Sequence, residues 1–137
     1  MTEATKPRPI RRIGAVLAGL LFVIIVTTLT DLFMHKTGIF PALGMVMSDA
    51  LFLVALAYRI IYGIAGGYIT ARLAPDKPMT HALVLGVIGC LLAILGTVAT
   101  WNSGPEFGPK WYPIALIVIA IPTTCIGGKL IPSAKRF

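Results

Sequence analysis

The chain carries very little charge for its length. Only 12% of its 137 residues are charged, roughly half the share in an ordinary soluble domain, whereas 57% are hydrophobic and the mean hydropathy is +0.89. A soluble fold of this size has no core large enough to hide so much apolar side chain. The composition therefore excludes an ordinary soluble domain and points to a lipid bilayer as the surroundings of the protein.

Residues that usually carry chemistry are also scarce. The sequence has two cysteines and two histidines, and it contains no CxxC, no Cys/His cluster, no Walker-type loop and no HExxH motif. No nucleophile lies next to a base in a recognisable catalytic pattern. We therefore predict no catalytic residues, no cofactor and no metal, and we predict that the protein is not an enzyme. An enzyme that acts on lipid at the outer face stays open as a less favoured hypothesis.

One weak metal-binding pattern lies near the end of the first apolar run. Asp31 and His35 are four residues apart, and Asp49 or Glu106 could add a third ligand. One histidine with scattered carboxylates is more typical of solvated residues at a membrane interface. The sequence therefore favours no metal site here.

The positive charge is distributed in a way that argues against nucleic acid. The net charge is +7, but the basic residues lie mostly at the ends of apolar runs, and no basic groove with stacking aromatics is recognisable. This pattern favours membrane orientation and contact with anionic lipid headgroups. Nine basic residues would share the cytoplasmic side, and only Lys36 and Lys110 would lie opposite. The nine are Lys6, Arg8, Arg11, Arg12, Arg72, Lys77, Lys129, Lys135 and Arg136.

Four apolar runs are long enough to cross a bilayer as helices, which takes about 20 residues. They cover about 13–32, 51–73, 82–100 and 111–131. The runs are continuous and not alternating, so they predict helices and not a barrel. The first run is too long for a signal peptide, so we expect a retained helix. The predicted fold is an all-α integral membrane protein with a 1–12 cytoplasmic basic tail and one domain, 13–137, of four transmembrane helices in two hairpins, with both termini inside.

A short segment after the second run carries a family resemblance. It reads Gly-Gly-Tyr-Ile-Thr-Ala-Arg-Leu-Ala-Pro over 66–75, and the Trp-Tyr-Pro at 111–113 and the Gly-Gly at 127–128 fit the same pattern. With these features, most of the chain resembles small, uncharacterised four-helix bacterial membrane proteins. The resemblance implies a bacterial inner-membrane protein and no particular activity.

Small residues recur every four positions along the second and third runs. Gly63 and Gly67 form one stripe, and Gly86 and Gly89 lie on two stripes of the third run. Lipid gives helices no hydrophobic reason to associate, so close packing through small residues must supply much of the affinity. These glycines therefore predict helix packing within one chain or in a homodimer, and the two are not exclusive.

Arg59 is the most informative residue because it lies inside an apolar run. An ionised group there is costly unless it is paired or hydrated, and it is a functional candidate by default. It shares a helix face with Gly63 and Gly67, so we expect it to face the bundle. Asp31 is its natural partner, because both residues fall in the outer half of the membrane.

Three further residues complete the candidate polar site. Tyr58 and Tyr62 flank Arg59 on the same run, and Asp49 is a second, more distant acidic candidate. Threonines near the outer ends of the first and third runs could add hydroxyls to a pocket, although Thr commonly bonds its own helix.

Two functions fit these residues. The favoured one is a structural or accessory membrane protein with an internal Asp31–Arg59 pair. The alternative is a small dimeric transporter or channel for an anionic or proton-coupled solute, with Arg59 holding an anionic group. The predicted partners are membrane lipids and either a second copy of the chain or another membrane protein, with no nucleic acid.

Overall fold

A computed structural model describes residues 8–42 and 45–131, apart from the side chains of Arg8 and Glu106. Four long helices account for most of this part of the chain. They are α1 (Arg8–Lys36), α2 (Asp49–Leu73), α3 (Pro78–Thr100) and α4 (Trp111–Lys129), and a short 3-10 turn, Pro105–Phe107, precedes α4. Each of the four is long and apolar enough to cross a membrane, so the prediction of an all-α protein with four candidate spans is confirmed.

The helix ends differ from the predicted spans by a few residues. α1 begins at Arg8 and ends at Lys36, so the described part of the predicted 1–12 tail is already helical. A window of apolar residues marks only what sits in hydrocarbon, whereas a helix can continue with basic residues, and a proline in its first turn is compatible with that. Residues 1–7 of the predicted tail, with Lys6, lie outside the described residues, as do Lys135 and Arg136.

Local sequence explains where α2 and α3 begin. The Ser48 hydroxyl accepts a hydrogen bond from the backbone N–H of Leu51, and Asp49 lies in the first turn, where the helix dipole favours an acid. α3 begins at Pro78, earlier than predicted, directly after Lys77, which has a left-handed backbone with φ of 42°. The sequence offers Thr80 as a capping residue for this helix, but Thr80 lies inside the first turn of α3, because the helix already begins at the proline.

The interface between α2 and α4 is built backbone to backbone. A Cβ on Gly67 would overlap the backbone of Thr124, and a Cβ on Gly127 would overlap the Ile64 carbonyl. Gly63 likewise faces the Thr123 side chain, at 2.6 Å from its Oγ1 to the added Cβ. Glycine is required at these positions because no side chain fits between the two helices.

The two predicted glycines of α3 differ in their surroundings. A Cβ on Gly86 would lie 2.9 Å from the Ile121 Cα of α4, so Gly86 belongs to a close helix crossing. A Cβ on Gly89 would meet only the Ala120 methyl, at 3.9 Å. Gly89 therefore faces space between the helices and is not part of the tight contact.

The contact between α1 and α2 combines small residues with one buried hydrogen bond. Gly19 of α1 lies directly against Gly66 of α2. Thr70, which is fully buried, donates its hydroxyl to the Ala15 carbonyl at 2.9 Å. Ala15 faces Thr70, and Asp31 lies opposite Arg59, so the two helices run in opposite directions.

Most large apolar side chains point away from the interior. The exposed fraction reaches 66% at Leu95, 72% at Val98 and 65% at Val118. The buried core is correspondingly small and consists largely of glycine, alanine and threonine residues between the helices. Such an apolar exterior suits lipid, in which outward-facing leucine and valine cost nothing.

Candidate functional site

Asp31 and Arg59 form a salt bridge between α1 and α2. The distance from Arg59 Nη2 to Asp31 Oδ2 is 2.7 Å, and the Tyr58 hydroxyl donates to the other carboxylate oxygen. Both oxygens of the carboxylate are thus held by neighbouring residues of one helix. The Arg59 side chain is 24% exposed and the Asp31 side chain 32% exposed, so the pair lies at the edge of the interior and not deep within it.

Aromatic rings surround the guanidinium of Arg59. Its Cζ lies 5.5 Å from the Tyr58 ring centroid and 5.8 Å from that of Tyr112, at the start of α4. Tyr112 in turn packs on Phe52, with ring centroids 4.8 Å apart. Cation–π contacts of this kind stabilise a charge without neutralising it. Residues of α1, α2 and α4 therefore meet at one charged group.

Tyr62 makes a separate connection between α1 and α2. Its hydroxyl lies 2.8 Å from the Thr30 hydroxyl, whose own proton is donated to the Val26 carbonyl. Its ring is tilted against that of Tyr58, with centroids 5.8 Å apart. The predicted residues Asp31, Tyr58, Arg59 and Tyr62 are thus brought together along one helix–helix seam.

Asp49 is not part of this cluster. It is exposed in the first turn of α2, well above Arg59 along the helix axis. His35 is engaged elsewhere, because its Nδ1 lies 2.8 Å from the Pro41 carbonyl and its ring packs against Phe40. Over the residues that the structure describes, no three His, Cys, Asp or Glu side chains come close enough to hold a metal.

A cavity of about 350 Å³ lies between the helices beside the salt bridge. Its lining comes from all four helices, with Asp31 and Arg59 at one end. Besides these two charged residues, the wall is formed by aliphatic residues, glycines and four threonines. The lining residues are Leu20, Val23, Ile24, Thr27, Thr28, Asp31, Arg59, Gly63, Leu85, Gly89, Ala93, Leu116, Ile119, Ala120, Thr123 and Thr124.

The threonines of the cavity wall differ in their hydrogen bonding. Thr123 donates to the Ile119 carbonyl and Thr124 to the Ile121 carbonyl, within their own helix. Both threonines come directly after Pro122, which has no N–H to donate to the Val118 carbonyl. Neither threonine hydroxyl donates to that carbonyl. The Thr27 hydroxyl is buried and has no hydrogen-bond partner among the described residues.

Sequence reasoning missed Tyr112. The aromatic at the start of the fourth run looked like an ordinary interfacial anchor. Its contact with Arg59 depends on how α4 crosses α2, which no local pattern gives. Sequence reasoning expected a polar pocket at Arg59, whereas the cavity there is mainly aliphatic, although Thr27 and Thr28 of the first run do line it. The sequence predicts close helix packing at Gly89, whereas Gly89 borders the cavity, because a small residue can mark open space as well as close packing.

The cluster can hold α1, α2 and α4 together and can bind a polar group, but it contains no activated nucleophile. Asp31 accepts two hydrogen bonds, and Arg59 directs one of its five N–H groups to Asp31. The guanidinium therefore has donor capacity beyond the ion pair, next to an apolar cavity. Comparisons with protein-family models, with curated proteins and with solved structures gave no match to this chain.

Proposed function

We propose that this protein is a non-enzymatic structural or accessory protein of the bacterial inner membrane, in which Asp31 and Arg59 clamp α1 to α2. The observation that carries this proposal is the complete engagement of the Asp31 carboxylate by Tyr58 and Arg59 of the neighbouring helix. A charged pair inside an apolar span is stable only with such satisfied partners. Its energetic role is to fix the register of α1, which packs chiefly on α2.

The proposed topology has two hairpins, α1–α2 and α3–α4, with both termini in the cytoplasm. Its support is the excess of Lys and Arg at the end of the bundle where α1 begins and α2 ends. At that end Arg12 makes two hydrogen bonds to Asp76 in the α2–α3 connection, at 3.1 and 2.5 Å. The salt bridge at Asp31 would then lie in the outer half of the membrane.

The proposed partners are membrane lipids together with either a second copy of the chain or another membrane protein. The apolar exterior supports lipid contact, and the resemblance to small four-helix bacterial membrane proteins belongs to the same proposal. An accessory role asks for no solute path through the bundle. The tight α2–α4 and α3–α4 crossings agree with that, because they leave no room for water at the points where those helices cross.

A second candidate function is a dimeric transporter or channel. The observation that favours it is the cavity next to Asp31 and Arg59, where a solute could meet both charges. Four helices rarely enclose a water-filled path alone, so this function would need a second copy. The mainly aliphatic wall makes it the weaker candidate.

Flux measurements on proteoliposomes separate the two functions. We expect the purified wild-type protein to give no more proton or small-anion flux than empty liposomes, because the charged pair is satisfied internally. The control is Gly96→Leu, a change on the lipid-facing side of α3. A flux that persists in this control but disappears in the Asp31→Leu, Arg59→Leu double variant would contradict the accessory function and establish the transporter.

A further inference from the structure

The cavity beside the salt bridge occupies a place where the bundle is incompletely packed. The extensive helix–helix contacts in the described part of the chain are α1 with α2, α2 with α4 and α3 with α4. The cavity lies between α1 on one side and α3 and α4 on the other, and α2 closes it with Arg59 and Gly63. Its volume of about 350 Å³ falls within the range of ligand pockets, roughly 300–1,000 Å³.

The length of the cavity matches one leaflet of a bilayer. Leu20 lies at its deep end and Asp31 at its charged end, and these residues are separated by about 16 Å of helix at ~1.5 Å per residue. Half of a typical hydrocarbon core is about 15 Å thick. With the topology proposed above, an apolar chain in the cavity would reach from the outer interface to the middle of the membrane.

The ion pair at one end of the cavity has no net charge. Asp31 and Arg59 compensate each other, and the Tyr58 hydroxyl adds a hydrogen bond to the carboxylate. An anionic head placed there would give the site a net negative charge in an apolar medium, which is costly. An uncharged head with an ester, carbonyl or hydroxyl group could instead accept a hydrogen bond from the guanidinium without that cost.

The wall of the cavity also contains a polar group, Thr27, whose hydrogen bonding is incomplete. Thr27 lies one helical turn below Asp31, lines the cavity, and its buried hydroxyl has no partner among the described residues. Buried hydroxyls are nearly always hydrogen-bonded, so one without a protein partner calls for an explanation. The oxygen atom itself is enclosed, so a bound amphiphile would give it a partner by drawing the hydroxyl round into the cavity through a rotation of the Thr27 side chain.

We propose that this cavity binds an uncharged single-chain lipid, with its acyl chain between α1, α3 and α4 and its oxygen-bearing head at Arg59. This inference rests on the membrane placement proposed above, but not on the clamp or on the absence of transport. Two features of the cavity would select this ligand. Its wall is aliphatic, and at one end lies an ion pair that has no net charge but can donate a hydrogen bond.

The glycines of α3 offer a matched test. Gly89→Leu places a side chain into the cavity, where only the Ala120 methyl lies nearby, whereas a Cβ on Gly96 meets nothing within 4 Å. Both variants add the same side chain to the same helix and leave Asp31 and Arg59 in place. Ala93→Leu, at another wall position, is a second filling variant if Gly89→Leu fails to fold.

The experiment measures calorimetric binding of monolauroylglycerol, and of the lysophosphatidylglycerol with the same acyl chain, to purified protein in nanodiscs. We expect saturable one-to-one binding of monolauroylglycerol to wild type and to Gly96→Leu, weakened about tenfold or more by the filling variant and by the added phosphate charge. Binding that is equal in the filling variant would overturn the proposal, as would tighter binding of the lysophospholipid. Either result would leave the clamp untouched, since its own variants test it separately.

Discussion

Replacing Arg59 with Leu is expected to cost about 3 kcal/mol of unfolding free energy, and replacing Asp31 with Leu in the same chain is expected to restore most of that loss. The single change leaves an ionised carboxylate in an apolar span without its counter-charge. The double change removes both charges, so no ion is left without its partner in the apolar span. The expected coupling between the two positions is therefore large and favourable.

The measurement is reversible unfolding of the protein in bicelles, followed for the wild type, both single variants and the double variant. Arg12→Leu is the control, because Arg12 is also paired with an aspartate but its side chain is 44% exposed. We expect it to lose less than about 1 kcal/mol. A double variant that loses the sum of the two single losses would show that the pair does not act as a clamp.

The second large effect is expected at the closest helix crossing. Gly67→Ala and Gly127→Ala should each destabilise the bundle by about 3 kcal/mol, since the new methyl group would overlap backbone atoms of the facing helix. Backbone cannot move aside as a flexible side chain can, so α2 and α4 would have to separate. Their separation would also remove Tyr112 from Arg59.

Gly96→Ala is the matched control for these glycine variants. Its Cβ meets nothing within 4 Å, and alanine is a better helix former than glycine by roughly 0.5–1 kcal/mol. We therefore expect Gly96→Ala to be neutral or slightly stabilising in the same unfolding assay. If Gly67→Ala and Gly96→Ala had the same effect, the close α2–α4 crossing would be wrong.

The helices could be predicted from sequence because lipid leaves the backbone few alternatives. Twenty apolar residues in a row must form a helix, so element number and type follow from composition alone. The ends were less well predicted, as α1 shows by extending from Arg8 to Lys36. Hydropathy marks the hydrocarbon boundary, whereas a helix stops where capping or a proline stops it.

Part of the site follows from helical geometry. Arg59, Gly63 and Gly67 share one face, and the rise per residue puts Asp31 within reach of Arg59, so their contact is derivable from spacing. Tyr112 is not derivable in this way, because its contact depends on the crossing of two helices far apart in sequence. The cavity is likewise a property of how α1 sits against α3 and α4.

The measurement that tests the central claim most directly is labelling of one cysteine, Tyr62→Cys, with a charged maleimide in nanodiscs. Native Cys90 and Cys125 are replaced by alanine, and Phe107→Cys, at a position 57% exposed in the connection before α4, is the accessible control. A closed, internally paired seam predicts that the cysteine at 107 is labelled while the cysteine at 62 is protected until the protein unfolds. Equal labelling of both in the folded protein would reveal a hydrated vestibule at Arg59 and would contradict the clamp.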